Sequence, residues 1–410
     1  MLEDILAASR RLVARHAAAP FVQERTRYLK HLKDQGYAAK SLLFRARHLL
    51  RVVKWLKIDD DATSVTPRQI EAAADSAGYF DGRHGRLRHR FIETARLWLR
   101  FCHRFAEPAP GRQAFTELID DFGAWMADER GLSTSTIRHR SNGLRIFFRW
   151  WHSQNRPFRG IRITDIDDYF ILATERWSRR SMAFQASELR VFFRHAGRRG
   201  WCSPTIAEAI EAPHIYEDEQ LPASLTWDQV QELVASVPTC EPGDFRDHAT
   251  FLLLAVYGLR ASEVATIRLE DLDWEQDRIS IRRPKCRDAK VCPLVPTVGN
   301  AIIDYLKQGR PRSIRPELFL GLRAPFGPMS PGALGQAVTC RMKRLGLPLE
   351  RKGAHSLRHA CAVRLLDEGL SIKEIGDHLG HLSPRSTQIY AKVDLNKLRL
   401  VGDLDIGGLL

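Results

Sequence analysis

Apolar residues recur at helical spacing throughout the first half of the chain. The clearest runs are Leu49, Val52, Val53 and Leu56, followed by Leu144, Phe147, Phe148 and Trp151. Because residues three and four positions apart lie on one face of a helix, each run predicts an amphipathic helix. Arginine and lysine fill many of the remaining positions of these helices.

The first half also contains an internal repeat. Residues 28–56 align with residues 122–151 when Gly36 is matched with Gly131. The alignment superposes Arg45 on Arg140, Leu49 on Leu144 and Trp55 on Trp150. Each copy reads as a helix, a short glycine-containing turn and a second helix opened by small polar residues. The repeat therefore predicts two copies of one four-helix unit.

The second half alternates between helical and extended patterns. Thr226 is placed to cap a helix, because its hydroxyl can accept a hydrogen bond from the first turn. Further predicted elements are helices at 247–258 and 261–267, strands at 278–282 and 289–294 around a turn at 283–288, and helices to the end. The fold class is predicted to be mainly α with a small β-hairpin or sheet, which makes the second half α+β.

Proline-rich and acidic stretches divide the chain into predicted domains. The boundaries are a first helical copy at 1–105, a linker at 106–111, a second helical copy at 112–212, a linker at 213–224, an α+β domain at 225–395 and a tail at 396–410.

The charge of the chain is basic and unevenly distributed. The 63 lysines and arginines outnumber the 49 aspartates and glutamates, for a net charge of +14. Residues 1–215 contain 37 basic and 24 acidic residues, whereas residues 216–410 contain 26 and 25. A basic first half favours a polyanionic partner such as nucleic acid. Solubility alone would explain the sign of the charge but not its asymmetry.

The sequence predicts neither a membrane segment nor a disulfide framework. No apolar stretch approaches the roughly 18 residues of a membrane span, and the first 20 residues lack the order of a secretory signal. Seven cysteines are an odd number and contain no Cys-x-x-Cys pair. A reduced, cytoplasmic location is expected.

Four short segments of the second half carry chemistry-bearing side chains. They are Tyr257-Gly-Leu-Arg-Ala-Ser-Glu-Val264, the hairpin at 279–294 with Lys285 in its turn, His355-Ser-Leu-Arg-His359, and the stretch from Leu379-Gly-His to Tyr390. In this order and spacing they resemble the tyrosine recombinase (phage integrase) family. The resemblance implies a catalytic set of Arg260, Lys285, His355, Arg358, His381 and Tyr390, supported by Glu263.

These residue types suit the cleavage of a DNA phosphodiester. Arg260 and Arg358 can hold the non-bridging oxygens of a phosphate in bidentate fashion. Tyr390 would attack phosphorus and form a 3′-phosphotyrosyl link. Lys285 would protonate the departing 5′ oxygen.

The histidines and the glutamate are expected to assist. His355 and His381 would donate to the phosphate or move the tyrosine proton. Glu263, one turn after Arg260, would orient the basic cluster. Since two arginines neutralise the charge, no metal and no cofactor is expected. His355 and His359 form an alternative metal pair at i, i+4, but no carboxylate or cysteine completes that site at helical spacing.

Lys285 has a competitor in Lys290. The Gly-Lys-Gly turn usual in the family is Arg-Pro-Lys-Cys in this chain. Counting back eight residues from Pro293 selects Lys285 as the general acid.

The predicted partner is double-stranded DNA that carries specific recombination sites. The candidate DNA-binding residues are Arg83, Arg86, Arg88, Arg90, Arg140, Arg179, Arg180 and Arg194. For any single arginine the alternative is a solvated charged face. The resemblance also implies a homotetramer, or an assembly with related recombinases, on DNA. The tail at 396–410 would then pack either on a neighbouring protomer or on its own domain.

The predicted function is site-specific recombination, by integration, excision or transposition, in the service of a mobile element. One rival is a non-catalytic DNA-binding protein on the same scaffold, which the complete residue set disfavours. The other is a type IB topoisomerase, which the paired helical units disfavour. The first helical copy would either extend the DNA footprint or mediate assembly.

Overall fold

The computed structural model is mainly helical and contains one small sheet. It describes residues 2–6, 9–56, 64–78, 85–107, 115–215, 225–282, 289–347, 353–380 and 387. The chain divides into two compact units. The first unit comprises Met1–Asp61, Glu71–His103 and Gln220–Leu410, and the second comprises Ala62–Ile70 and Arg104–Glu219. No helix in the described ranges is long and apolar enough to cross a bilayer.

The described part of the first helical copy contains six helices, two more than the four that the repeat predicts. Its helices are α1 Leu2–Ile5, α2 Arg10–Ala17, α3 Val22–Asp34, α4 Ala39–Leu56, α5 Pro67–Ser76 and α6 Gly85–Phe101. The apolar stripe of α4 is directed inward, with Leu49 and Val52 fully buried. Gly36, between α3 and α4, has a φ of +85°. Such left-handed backbone strongly favours glycine.

The second helical copy repeats this arrangement. Its helices are α7 Thr116–Asp128, α8 Thr134–Ser153, α9 Ile163–Thr174, α10 Arg179–Arg198 and α11 Ile206–Ala209. Gly131, between α7 and α8, has a φ of +58°, the same left-handed region as Gly36. Aromatic residues of α8 and α10 form the core, which includes Phe147, Trp151 and Phe193. The matched glycines of the repeat therefore have one structural cause.

The second half builds a helical core around a small antiparallel sheet. Its helices are α12 Trp227–Ala235, α13 Pro242–Val256, α14 Ala261–Thr266, α15 Pro296–Asp304 with a π-helical extension at Tyr305–Gly309, α16 Pro331–Arg344, α17 Ala354–Asp367 and α18 Ile372–Leu379. Its strands are β1 Leu272–Asp273, β2 Arg278–Arg282 and β3 Ala289–Pro293, in the order β1-β2-β3. Ile279 opposes Cys292, and Ile281 opposes Lys290.

The predicted elements of the second half that lie in the described residues are confirmed, with two differences. The predicted turn at 283–288 and the tail at 396–410 lie outside the described residues. Thr226 caps α12, where its hydroxyl accepts from the Gln229 backbone N–H at 3.3 Å. The helix predicted at 247–258 begins earlier, at Pro242, because proline is tolerated in the first helical turn and Asp244 caps the Glu241 N–H at 3.1 Å. The two-residue strand β1 was not predicted, because it is too short to have an alternating pattern.

Candidate active site

Arg260 lies at the N-terminus of α14 and is oriented by a buried carboxylate. Glu263, which is 2% exposed, accepts from the Arg260 backbone N–H at 2.9 Å and from Nη1 at 2.7 Å. The Arg260 Nη2 group donates to the Gly380 carbonyl at 3.0 Å. The side chain remains 38% exposed. Glu263 thus orients Arg260 while leaving part of its guanidinium accessible.

Arg358 lies in α17 and is 2% exposed. Its Nη1 donates to the Gly258 carbonyl at 2.6 Å, and its Nη2 donates to the Leu379 carbonyl at 2.8 Å. Both acceptors are neutral, so neither cancels the guanidinium charge. A guanidinium has five N–H donors in a rigid fork, so two bonds to carbonyls are compatible with contact to a phosphate.

The turn before Arg260 requires glycine for two reasons. Gly258 has a φ of +61°, which L side chains rarely adopt. A Cβ added there would lie 2.5 Å from Leu379 Cδ2 and 3.1 Å from Cys361 Sγ. The backbone must therefore pass this close to α17 and α18, which places the Gly258 carbonyl against Arg358.

His355 lies one turn before Arg358 on α17 and is exposed. Its ring meets that of the buried His359 nearly at right angles, with ring centroids 4.4 Å apart. The predicted i, i+4 pair is thus a contact between two rings. Within the described ranges, no group of three or more His, Cys, Asp or Glu residues is arranged to hold a metal ion.

Three of the predicted catalytic residues, Lys285, His381 and Tyr390, lie outside the described residues. Their neighbours in the chain are described. Gly380, immediately before His381, ends α18 in left-handed conformation with φ 67°. Thr387, three residues before Tyr390, is buried, and a Cβ on Gly376 of α18 would lie 3.0 Å from its hydroxyl oxygen.

Lys290, the competitor of Lys285, extends from β3 to the end of α18. Its Nζ donates to the His378 carbonyl at 2.6 Å and lies 3.3 Å from His378 Nδ1. The opposite end of β3 is attached to the end of α13. The Tyr257 hydroxyl, just after α13, donates to the Pro293 carbonyl at 2.6 Å and accepts from the Val295 N–H at 3.0 Å.

Two further groups near the site have raised pKa values because they are buried. Burial raises the pKa of the Cys361 thiol to about 11, although the charges of Arg358 and Lys290 oppose that shift. Burial likewise raises the pKa of Tyr257. Both groups are therefore neutral at physiological pH, and the buried Cys361 is a packing residue.

The residues that sequence reasoning missed act through their backbone. The carbonyls of Gly258, Leu379 and Gly380 position the two arginines. Every residue has a carbonyl, so the sequence contains no direct signal for these acceptors. The glycine that precedes Leu-Arg was the available signal, since glycine marks sites of close backbone approach.

The predicted DNA-binding arginines of the first copy have varied surroundings. Arg83 lies outside the described residues, and Arg86 lies in α6 without a described side chain. Arg88 Nε pairs with Asp75 Oδ1 at 3.0 Å. The Arg90 guanidinium lies 5.0 Å from the centroid of the Phe44 ring, beside a cavity of about 620 Å³.

In the second copy, Arg140 is partly neutralised by a buried acid. Its Nε lies 3.3 Å from Glu188 Oε2, and Glu188 is 5% exposed. Burial raises the pKa of Glu188, and the charge of Arg140 opposes that shift. Arg194 is exposed beside a cleft of about 170 Å³ that Arg140 also lines.

The remaining two predicted arginines of the second copy open α10. Arg179 and Arg180 are both exposed in its first turn, after the Ser178 cap. Arg130 and Arg198 line the same cleft as Arg194 and add to its positive charge.

Comparison with known proteins identifies relatives of most of the chain. The model of the phage integrase family matches residues 223–397. The integrase/recombinase y4rA of Sinorhizobium fredii is 35% identical over 288 residues, which cover 70% of each chain. Tyrosine recombinase XerD of Listeria monocytogenes is 29% identical over 292 residues, which cover 69% of this chain and 96% of XerD.

Solved structures have a similar fold. The XerH site-specific recombinase bound to a palindromic difH substrate, in a post-cleavage complex, matches with a TM-score of 0.55 at 15% identity. That match covers 87% of this chain and 96% of the XerH chain. The Tn1549 transposon integrase in complex with a circular intermediate DNA matches with a TM-score of 0.53 at 19% identity, over 68% of this chain and 99% of that one.

Proposed function

The chain belongs to the phage integrase family of tyrosine recombinases, and from this premise we propose that it recombines specific sites in double-stranded DNA with Tyr390 as nucleophile. Arg260 and Arg358 bind the scissile phosphate. His355 and His381 assist at the phosphate, and Lys285 is the general acid. Glu263 positions Arg260.

The observation that best supports this proposal is the way the two arginines are held. Arg358 is bound by two neutral carbonyls, and Arg260 by one carbonyl and one carboxylate. The two guanidinium groups are therefore held in fixed orientations in a partly buried position. Preoriented positive groups of this kind stabilise the charge that develops on a phosphorane in the transition state.

The reaction proceeds in two successive transfers of the phosphoryl group. The Tyr390 oxygen attacks phosphorus and the bond to the 5′ oxygen breaks, so the DNA 3′ phosphate becomes linked to the tyrosine. The tyrosine proton passes to a histidine, for which His381 is our choice, while Lys285 gives a proton to the leaving 5′ oxygen. In the second transfer the 5′ hydroxyl of a partner strand attacks the phosphotyrosine and gives its proton to Lys285. The bond from phosphorus to the tyrosine oxygen breaks, and Tyr390 leaves with the proton that the histidine returns.

His355 suits a supporting role at the phosphate. It is exposed on the face of α17 one turn before Arg358, and its ring is packed against His359. A ring held in this way can direct an N–H toward a phosphate oxygen near the arginines.

The helical copies would bind the flanking duplex. In the second copy, the cleft lined by Arg130, Arg140, Arg194 and Arg198 presents several cations to phosphate. Arg88, Arg90, Arg179 and Arg180 would add contacts outside that cleft. The predicted boundaries at 105, 112, 212 and 225 separate the DNA-binding copies from the catalytic domain. The active form would be a homotetramer, or an assembly with related recombinases, on two duplexes at the bacterial nucleoid, serving a mobile element.

A suicide substrate tests the proposal. A nicked half-site traps the protein on DNA when the cleaved strand diffuses away, and a denaturing gel then counts covalent adducts. Tyr390→Phe should bind the half-site like the wild type and form no adduct. Tyr37→Phe, which removes a hydroxyl in the first helical copy, is the matched control and should form adducts normally.

Other outcomes separate the rival functions. An adduct at wild-type level in Tyr390→Phe would overturn the nucleophile. Wild-type protein that binds DNA but never forms an adduct would be a non-catalytic binder. Relaxation of supercoiled plasmid without strand exchange would identify a topoisomerase. Loss of cleavage in EDTA, with assembly intact, would contradict the metal-free mechanism.

A further inference from the structure

Three consecutive backbone carbonyls at the end of α18 accept hydrogen bonds from three cations. The His378 carbonyl accepts from Lys290 at 2.6 Å. The Leu379 carbonyl accepts from Arg358 at 2.8 Å, and the Gly380 carbonyl accepts from Arg260 at 3.0 Å. The donors come from β3, α17 and the start of α14, and they lie 88, 21 and 120 residues before their acceptors in the sequence. The end of α18 is therefore a common anchor for all three.

The end of a helix is a favourable place for such donors. The last carbonyls of a helix have no partner within the helix, and the helix dipole places partial negative charge there. Gly380 turns the chain away in left-handed conformation, and its N–H returns to the carbonyls of Gly376 and Asp377. The next three carbonyls thus remain available for Lys290, Arg358 and Arg260.

Lys290 differs from the two arginines in what it connects. It lies on β3 opposite Ile281, five residues after Lys285 in the same hairpin. Its bond to His378 ties that hairpin to the helix from which His381 follows. The Tyr257 hydroxyl holds the far end of the same strand at Pro293. Two attachments of this kind fix the orientation of β3 relative to α13 and α18.

We propose that Lys290 is a positioning residue that couples the hairpin carrying Lys285 to the end of α18 preceding His381. It acts through the His378 carbonyl and does not transfer the proton to the leaving oxygen. This inference rests on the proposed function, because it assigns proton transfer to Lys285. A basic side chain that meets a helix end satisfies the carbonyl and the dipole together, and arginine can do the same.

The alternative, in which Lys290 is the general acid, makes different predictions. An acid must lose its proton during the reaction, and arginine cannot do so because its pKa exceeds about 12. A 5′-bridging phosphorothiolate has a leaving group that needs no proton. A missing acid is therefore rescued by that substrate, whereas a misplaced active site is not.

The experiment compares four variants on phosphodiester and phosphorothiolate suicide half-sites in single-turnover cleavage. They are Lys290→Met, Lys290→Arg, Lys285→Ala and Lys373→Met, the last being an exposed lysine in the first turn of α18 and the matched control. We expect Lys290→Met to slow cleavage of both substrates alike, by about 10- to 100-fold, the usual effect of a misplaced catalytic group. Lys290→Arg should stay within about threefold of the wild type, since its fork satisfies the same carbonyl. Lys373→Met should not differ from the wild type.

Several outcomes would overturn the inference. Rescue of Lys290→Met or Lys290→Arg by the phosphorothiolate would make Lys290 the acid. Wild-type cleavage rates for Lys290→Met on both substrates would show that Lys290 has no positioning role in cleavage. If Lys290→Met fails to fold, Lys290→Arg decides, because a proton donor cannot be replaced by arginine and a positioning residue can.

Failure of the proposed function would look different. In that case wild-type protein would form no adduct on either substrate, or Tyr390→Phe would retain one. Failure of the present inference leaves wild-type cleavage intact and changes only the pattern among the Lys290 variants.

Discussion

Arg25 in the first helical copy and Arg358 in the candidate active site are both buried arginines held by backbone carbonyls, but their acceptors differ. Arg25 donates to the carbonyl of Pro20 at 2.8 Å, of Ala19 at 2.7 Å and of His16 at 2.8 Å. Arg358 donates to Gly258 and Leu379.

The difference lies in the distance along the chain. The Arg25 acceptors lie within nine residues of it, whereas those of Arg358 are 100 and 21 residues away. Arg25 therefore shapes the local turn between α2 and α3. Arg358 connects α17 to Gly258 and to the end of α18, and these two acceptors lie far from it in the sequence. The same type of hydrogen bond stabilises a local turn in one region and connects separate segments of the candidate active site in the other.

Among the changes that test this comparison, exchange of Arg358 for lysine is expected to have the largest effect, which is on the rate of DNA cleavage. Lysine carries the charge but not the fork, so it cannot reach both carbonyls and the phosphate. Cleavage of a suicide half-site should fall by about 10²–10³-fold, the usual effect of removing one transition-state donor. Half-site affinity should change little.

Arg364→Lys is the control for Arg358→Lys. Arg364 lies on the same helix, is 45% exposed and pairs with Glu368. The Arg364→Lys variant should cleave the suicide half-site at the wild-type rate. A comparable defect in both variants would mean that α17 tolerates no lysine at any position, and would remove the special role of Arg358.

Removal of the Arg25 side chain should instead affect folding. Arg25→Met removes the donor of the buried His16 carbonyl and of the partly buried bonds to the Ala19 and Pro20 carbonyls. An unsatisfied buried group costs about 1–3 kcal/mol, so the free energy of unfolding should fall by about 3 kcal/mol in denaturant titration. Cleavage by the folded variant at low temperature should be normal. Arg27→Met replaces an exposed neighbour and should not change the free energy of unfolding. A cleavage defect found only in Arg25→Met would contradict a purely structural role for Arg25.

Gly258→Ala should disturb the Arg358 region less than loss of the guanidinium does. Gly369 is the matched control, because it has a φ of +90° and a Cβ added to it would meet no atom within 4 Å, whereas one added to Gly258 would lie 2.5 Å from Leu379. Both alanines incur left-handed strain of about 1–2 kcal/mol. Gly258→Ala should lose a further 1–3 kcal/mol or so from overpacking, with slower cleavage. Equal thermal midpoints for the two variants would contradict the close approach.

The smallest expected effect, when taken per unit of pH, is on stability near Arg25. Burial and the charge of Arg25 lower the pKa of His16 to about 4 from its usual 6.5. The unfolded chain therefore binds a proton that the folded chain does not, so stability falls as pH drops from about 6.5 to 4. The slope for one proton is at most about 1.4 kcal/mol per pH unit.

Amide hydrogen exchange followed between pH 7 and pH 4.5 would test this effect. Corrected for intrinsic rates, protection in α2 and α3 should decrease more than protection in β2 and β3. His16→Gln should reduce the difference between the two regions. Uniform loss of protection across the chain would assign the acid sensitivity to other groups.

Much of the fold was predictable because its signals are local. The Thr226 cap, the strand at 278–282 and the glycine turns at Gly36 and Gly131 each depend on a few neighbouring residues. The start of α13 was placed too late, although Pro242 and the Glu241–Asp244 cap are also local signals. The part of the site formed by Arg260 and Glu263 belongs to the same class, since their i, i+3 spacing places them together on one helical turn.

The sequence by itself predicted which side chains would meet a phosphate, because arginine, lysine, histidine and tyrosine in this order and spacing resemble the catalytic set of the tyrosine recombinases. Tertiary structure decided how they are held. The carbonyls of Gly258, His378, Leu379 and Gly380 receive Arg358, Lys290 and Arg260 only after α13, β3, α17 and α18 have packed together. Every residue offers the same carbonyl, and only packing selects the few that a distant cation reaches.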